Sequence, residues 1–125
     1  MGHSDRLVIA DGNFPVMSMG KNAQIIRMDG HGVPEILDAI LKVFPLDTYI
    51  EKPVNLMEVM PGDDVQTPIW DVYKKTVEKY DERGKNAIGE IERFKFYEET
   101  KTAYAVIATS EKALYANIML QKGVV

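Results

Sequence analysis

The 125-residue chain contains no cysteine, only two histidines and no long apolar run. The lack of cysteine excludes disulfides, thiolate zinc sites and a cysteine nucleophile, and it fits a reducing compartment, so we expect a cytoplasmic protein. No apolar run approaches the roughly 20 residues that cross a bilayer, and the first residues lack the basic and apolar regions of a signal peptide. We therefore expect no membrane partner.

Basic charge and cofactor motifs are also scarce. The chain has 15 Lys and Arg against 19 Asp and Glu, which leaves no basic face for a phosphate backbone, so nucleic acid is not an expected partner. Neither GxGxxG nor GxxxxGK[ST] occurs, and two histidines separated by a strand and a loop make a weak metal site without thiols. We expect no cofactor and no metal.

The patterns that are present alternate between strand and helix. Predicted strands lie in RLVIAD, QIIRMDG, PVNLMEVMPGDD, EIERFKFYE and TAYAVIAT, the third of them closed by a Pro-Gly turn. Predicted helices are VPEILDAILKVFPLD and TPIWDVYKKTVEKYDERGKN. Pro34 and Pro68 suit a first helical turn, Thr67 is a predicted N-cap, and Ser110 is predicted to cap a short helical turn before a last apolar segment. The alternation predicts an α/β fold, with a central sheet flanked by helices in a single compact domain over residues 1–125.

Two titratable side chains, His3 and Asp11, bracket the apolar run LVIA. A histidine can take and give a proton at neutral pH. The alternatives for His3 are a residue left over from an expression tag, a frayed terminus, or a site that binds copper adventitiously. Asp11 ends a buried strand before a loop rich in Gly, Pro and Asn, where ligands collect in α/β sheets. Its alternative is a loop cap that accepts from the amides of Gly12 and Asn13.

Four further polar residues stand out. Arg93 falls on a predicted strand, where a surface ion pair is the alternative to ligand binding. Tyr115 and Asn117 lie two apart, so an extended chain offers both side chains to one ligand, and a capped turn is the alternative. His31 lies between glycines, which favours a turn or capping role. The set contains no nucleophile, and it suits hydroxyl recognition and proton transfer.

Several segments resemble the L-fucose mutarotase and D-ribose pyranase family. They occur in the family's order over nearly the whole chain: GHSDxLVIADxNFP, RMDG, LDAILxxFPLDTY, MxxVxGD, IERFxFYE and LYANIMLQKGV. The opening GHSD and the final YANIMLQKGV are specific to the family. The RMDG, FPLDTY and RFxFYE segments favour the fucose branch over the ribose branch.

The resemblance implies a compact α/β fold and a homo-oligomer, for which a decamer of stacked rings is one form, with the sugar pocket at or near subunit contacts. It implies that the chain interconverts the α and β anomers of a free sugar without a cofactor. Carried over by motif, the catalytic residues are His3, Asp11 and Tyr115, and the sugar-binding residues are Asp11, Arg93, Tyr115 and Asn117. Relatives carry a helical segment before the GHSD motif, whereas this chain starts two residues before His3, so Met1 is either an internal methionine of a longer protein or the start of a shortened form.

These expectations combine into one hypothesis. The LVIA strand sets His3 and Asp11 against one sugar, and Asp11 either fixes the tautomer of His3 or binds a sugar hydroxyl. Tyr115 relays a proton or binds a hydroxyl, while Arg93 and Asn117 hold the ring. The alternatives are a D-ribose pyranase, which uses the same ring opening, and a sugar-binding or regulatory protein without turnover.

Overall fold

The computed structural model describes residues 1–125 as a six-stranded sheet with helices on both faces. The strands are β1 (Arg6–Ala10), β2 (Gln24–Met28), β3 (Val54–Met57), β4 (Ile88–Ile91), β5 (Ala105–Thr109) and β6 (Ile118–Gln121). The helices are α1 (Val16–Met19), α2 (Val33–Leu41), α3 (Pro68–Tyr80) and α4 (Arg93–Thr100), with a 3-10 turn over Gly84–Ala87. The predicted α/β class is confirmed. None of the helices combines the length and the apolar character needed to cross a membrane.

The strand order is β2-β5-β1-β6-β3-β4. All strands but one run in the same direction, because β6 pairs antiparallel with both of its neighbours, β1 and β3. The first residues of β6 therefore lie beside the last residues of β1 and β3. We call this side of the sheet, where β1, β3 and β4 end and β6 begins, the carboxyl edge.

The apolar run LVIA forms residues 7–10 of β1 and is buried on both faces of the sheet. Leu7 and Ile9 belong to a core cluster of 19 buried residues beneath α2 and α3. Val8 and Ala10 point to the other face and join a cluster of 9 buried residues with Phe96 of α4. A strand covered on both faces has no solvent side, so its sequence is apolar throughout rather than alternating.

The two long helices begin where the sequence predicts. Pro34 and Pro68 lie in the first turns of α2 and α3, where a missing amide proton costs little. Thr67 occupies the N-cap of α3, but its side chain makes no capping hydrogen bond, so the predicted cap contact is absent. At the start of α2, the Val33 amide donates to Glu111 Oε1 at 3.0 Å, which ties this helix to the loop before β6.

The predicted strand EIERFKFYE is wrong over most of its length. Strand β4 ends at Ile91, and α4 begins at Arg93. The Glu92 carboxylate accepts from the amides of Phe94 and Lys95 at 3.0 and 3.1 Å, and so caps the helix. The aromatic residues of the segment suggested a strand, but the side-chain cap supplies the hydrogen bonds that start a helix instead.

Two smaller expectations also fail. Ser110 caps no helical turn, because residues 110–117 form a loop. Within that loop the Glu111 carboxylate accepts from the amides of Lys112 and Ala113 at 3.1 and 3.2 Å. The segment GNFPVMSMGKN, predicted as loop throughout, contains the single-turn helix α1.

Replacement of the α4 cap tests this part of the fold. We expect Glu92→Ala to lower the free energy of unfolding by about 1 kcal/mol, because the amides of Phe94 and Lys95 lose their acceptor. Urea denaturation measures the difference. Glu90→Ala is the matched control, since Glu90 is an exposed residue of β4. Equal loss in both variants would contradict the cap.

Candidate functional site

A pocket of about 290 Å³ opens at the carboxyl edge of the sheet. Its walls are formed by Asp11, Asn13, Phe14, Met57, Arg93, Tyr97, Leu114, Tyr115 and Asn117. Four of the five predicted site residues therefore meet in one place, and His3 is the exception. The apolar walls could not be recognised from the sequence, because Phe14, Met57 and Tyr97 look like ordinary core residues.

The sheet topology explains why residues so far apart in sequence share this pocket. Asp11 follows β1, and Arg93 follows β4 by two residues. Asn117 immediately precedes β6, which runs in the opposite direction to its neighbours. Strand ends held by the sheet thus present the side chains, while the adjoining loops complete the walls.

Asp11 is a buried carboxylate with only 6% of its surface exposed. Burial raises the pKa of Asp11, and hydrogen bonds from backbone amides, with that of Asn13 first, oppose the rise. Asn13 N donates to Oδ1 at 3.0 Å and Ala116 N to Oδ2 at 3.4 Å. Of the two predicted cap contacts, the one from Asn13 is confirmed, whereas the Gly12 amide donates to the Glu111 carbonyl. A carboxylate whose pKa is raised holds a proton more readily, which suits it for proton exchange.

The segment that carries Tyr115 and Asn117 is held by α3 and by β1. Trp70 Nε1 donates to the Tyr115 carbonyl at 2.8 Å, and the Tyr73 hydroxyl donates to the Ala116 carbonyl at 2.6 Å. The Asp11 amide donates to Asn117 Oδ1 at 2.7 Å. Tyr115 has a φ of 53°, so the chain turns here instead of running extended, in agreement with the predicted turn before the last strand, and both side chains line the pocket.

The phenol oxygen of Tyr115 is surrounded by polar groups. It accepts from Met60 N at 3.2 Å and from Arg93 Nη2 at 3.4 Å, and its hydroxyl donates to Asp63. The Arg93 guanidinium lies 5.9 Å from the centroid of the tyrosine ring. Arg93 Nε is buried and has no hydrogen-bond partner. Because an unpaired buried donor is costly, this atom is suited to bind a ligand oxygen.

His3 lies at the opposite edge of the sheet from Asp11, since the two residues flank β1 at its two ends. The five residues of β1 alone span about 13 Å at the rise of an extended strand. The expectation that both side chains face one sugar is therefore wrong within one protomer. The His3 side chain is 41% exposed, its Nε2 lies 3.3 Å from Asp47 Oδ1, and its ring packs edge-on against Tyr49.

Asp47, rather than Asp11, is the carboxylate that fixes the orientation of His3. It is 2% exposed and accepts from Tyr49 N at 2.9 Å and from Gln121 Nε2 at 3.0 Å. The backbone hydrogen bond from Tyr49, followed by those from Gln121 and His3, holds the pKa of Asp47 below its usual value despite burial. The available signal was the pattern Asp-Thr-Tyr, in which an aspartate accepts from the amide two residues later.

The second histidine takes no part in the pocket. His31 Nδ1 lies 3.0 Å from Glu35 Oε1, and both side chains are about half exposed. Gly32 N also donates to Glu35 Oε1, at 3.1 Å, so the predicted turn or capping role of His31 fits its position before α2. No group of three or more His, Asp and Glu side chains is arranged to hold a metal ion.

The chain matches known proteins over its whole length. A family model described as the RbsD / FucU transport protein family covers residues 1–125. A fucose mutarotase of Homo sapiens is 47% identical over an alignment of 128 positions, which covers 99% of this chain and 82% of the relative.

Three solved structures show the same fold. FucU from Bifidobacterium longum is 66% identical with a TM-score of 0.98, and the match covers 100% of this chain and 89% of that one. A fucose mutarotase from Streptococcus pneumoniae, solved in complex with L-fucose, is 44% identical with a TM-score of 0.92 over 100% and 86% of the two chains. Bacillus subtilis RbsD complexed with D-ribose is 25% identical with a TM-score of 0.72 over 100% and 86%.

The lowered pKa of Asp47 gives a prediction on stability. A carboxylate whose pKa is lower in the folded state stabilises the fold above its unfolded pKa, near 3.8, and this contribution is lost as the pH falls through the folded value. We expect Asp47→Ala to lower the free energy of unfolding at pH 7 by roughly 1–3 kcal/mol, because Tyr49 N and Gln121 Nε2 lose a buried acceptor.

Urea denaturation at pH 7 and pH 3 measures this effect, and we expect the loss to shrink at the lower pH. Asp29→Ala is the control, since Asp29 is 63% exposed and pairs only with the exposed Arg27. A loss for Asp47→Ala that is no larger than that of the control, or that does not change with pH, would contradict the assigned role.

Proposed function

Since the chain belongs to the RbsD / FucU transport protein family, we propose that it is an isomerase that interconverts the α and β anomers of free L-fucose without a cofactor. The observation that carries the proposal is the pocket at the carboxyl edge, where a buried carboxylate, a guanidinium, a phenol and an amide converge between apolar walls. Such groups match the hydroxyls of a monosaccharide. The similar protein solved with L-fucose supports this choice of sugar.

The reaction is a ring opening followed by closure on the other face of the aldehyde. A base removes the proton of the anomeric hydroxyl, the bond from C1 to the ring oxygen breaks, and an acid protonates the ring oxygen. After rotation about C1–C2, the reverse steps give the other anomer. Positioned acid and base groups contribute about 10²–10⁴-fold each.

We assign the roles from the surroundings of each side chain. His3 exchanges the proton at the ring oxygen, and Asp11 and Tyr115 act at the sugar hydroxyls. Arg93, through its unpaired Nε, and Asn117 hold the ring. A pocket matched to hydroxyls can discriminate between sugars, because a missing hydroxyl leaves buried polar groups unpaired.

His3 enters this scheme from a second copy of the chain. Within one chain, His3 precedes β1 and the pocket lies after the end of β1, so the His3 imidazole can reach a sugar only in the pocket of another protomer. The side chain of Tyr49 beside His3 is 75% exposed, and Leu114 and Phe94 at the pocket end are 54% and 62% exposed. When one surface of a chain binds a different surface of the next copy, the same contact repeats from copy to copy and can close into a ring. We therefore propose a homo-oligomer, for which a decamer of stacked rings is one arrangement.

Substrate and compartment complete the proposal. L-Fucose is favoured over D-ribose because the identity is 44% to the protein solved with fucose and 25% to the one solved with ribose. We place the reaction in the cytoplasm, because a chain without cysteine forms no disulfide and so fits a reducing compartment.

The direct test is magnetisation transfer between the α and β H1 resonances of L-fucose in NMR. We expect the wild-type protein to speed exchange, and His3→Ala to lower the rate by about 100-fold or more, because the proton at the ring oxygen loses its carrier. His31→Ala, which changes the other exposed histidine, is the control and should keep its rate.

The same assay separates the alternatives. Faster exchange with D-ribose than with L-fucose would support the pyranase. Binding of L-fucose without any exchange, and with equal affinity in His3→Ala, would support a sugar-binding or regulatory protein and overturn the proposed isomerase.

A mixing experiment tests whether His3 acts on a second copy. His3→Ala and Arg93→Ala should each be inactive alone. When the two variants are co-expressed and mix at random, about a quarter of the sites should be active, because those sites combine an intact His3 from one chain with an intact pocket from its neighbour. Exchange of L-fucose and the size of the assembly are measured together. No recovery in mixed oligomers of normal size would contradict the shared site.

A further inference from the structure

The loop after β3 makes a tight turn that contacts the catalytic phenol. The turn runs over Met60–Asp63, with Pro61 second and Gly62 third, and the Asp63 amide donates to the Met60 carbonyl at 3.0 Å. Gly62 has a φ of 91°, as the third position of a type II turn requires. Both ends of the turn bond to Tyr115, since Met60 N donates to the phenol oxygen and Asp63 accepts from it.

These contacts determine which way the phenol proton points. A tyrosine hydroxyl has a single proton, and here it is donated to the Asp63 carboxylate. The oxygen accepts from Met60 N at 3.2 Å and, over the longer distance of 3.4 Å, from Arg93 Nη2. The weaker contact from Arg93 is the one that a sugar hydroxyl can replace. The phenol therefore meets the sugar as an acceptor, with its own proton directed away.

We propose that Asp63 is a positioning residue for the isomerisation and the terminal proton acceptor of a relay through Tyr115. This inference rests on the function proposed above. It adds a carboxylate that does not line the pocket and acts only through the phenol. Hydrogen bonds between a hydroxyl and a carboxylate are among the strong ones in proteins, which suits a bond along which a proton moves.

The relay balances in both directions. On ring opening, the anomeric hydroxyl proton moves to the phenol oxygen, and the phenol proton moves to the Asp63 carboxylate. The bond from C1 to the ring oxygen breaks with its electron pair on oxygen, which takes the proton of His3 from the second copy. On closure, His3 regains that proton, Asp63 returns its proton to Tyr115, and Tyr115 returns one to the new anomeric oxygen.

Asp11, which lines the pocket, and Asp63, which bonds to the phenol, differ in how accessible they are. Asp11 is 6% exposed, and both of its oxygens accept backbone amides. Asp63 is exposed to solvent on the outer side of the turn. A carboxylate in contact with water exchanges its proton without opening the pocket, so Asp63 is better placed than Asp11 to end the relay.

The test compares Asp63→Asn with Asp64→Asn in the L-fucose exchange assay. Asparagine keeps the size and the acceptor oxygen of Asp63 but takes no proton, so we expect kcat to fall by about 100-fold or more while KM stays near the wild-type value. Asp64 is exposed and takes no part in the hydrogen bonds of Tyr115, so its replacement should leave kcat unchanged. Equal rates in the two variants would overturn the proposal.

A double-mutant cycle separates a relay from a purely structural role of the turn. If Asp63 acts through the phenol, Asp63→Asn should cost nothing further once Tyr115 is replaced by phenylalanine. Asp63→Glu, which restores a carboxylate, should recover part of the lost kcat. A further loss in the Tyr115→Phe background, or no recovery with glutamate, would overturn the relay.

A second measurement does not depend on turnover. In protein labelled with ¹³C at tyrosine Cζ, Tyr115→Phe identifies the resonance of Tyr115, and we expect Asp63→Asn to shift it while Asp64→Asn does not. An unchanged resonance in Asp63→Asn would overturn the assigned hydrogen bond. Wild-type protein that exchanges neither sugar would instead overturn the proposed function, and the Cζ shift would still decide whether Asp63 holds the phenol proton.

Discussion

The direction of one short strand determines where the chemistry can take place. Strand β6 is inserted antiparallel between β1 and β3, in a sheet whose other strands all run the same way. Its beginning therefore meets the ends of its neighbours, and Asn117 lies beside Asp11 at that edge. With β6 parallel, the tyrosine and asparagine before it would lie at the other edge. The direction of β6 therefore determines where the pocket lies, and the side chains at that place determine its chemistry.

The pocket keeps several groups in unfavourable states, and the surrounding structure holds them there. Asp11 is buried, Arg93 Nε has no partner and Tyr115 has a left-handed backbone conformation. Each costs free energy relative to an ordinary loop. Hydrogen bonds from Trp70 and Tyr73 of α3 fix the segment from the opposite side of the sheet. A rigid helix and a buried strand therefore keep the binding groups in place before any sugar arrives.

The sequence predicts those features that depend on local pattern. The apolar run of β1, the prolines that open α2 and α3, and the position of Asp11 at a strand end all follow from periodicity and turn residues. Glu92 misled the prediction, because a glutamate at an N-cap is an uncommon signal and the aromatic residues after it favour a strand. The roles of the individual site residues came from family motifs rather than from periodicity.

Contacts between distant segments could not be predicted in this way. His3 and Asp11 are close in sequence, but the extended strand β1 lies between them and keeps them apart in space. The carboxylate that holds His3 is Asp47, which arrives from a loop 44 residues later. Asp63 also lies in a loop, where it is exposed, and only the folded chain brings it to the phenol.

The separation of His3 from the pocket has a consequence for how such a protein responds to its own concentration. If the imidazole acts on a neighbouring copy, an isolated chain carries both parts of a site but cannot use them together. Activity then requires association, and dilution lowers the specific activity even when every chain remains folded. The amount of protein in the cell, through the assembly equilibrium, would then set the rate per chain as well as the number of chains.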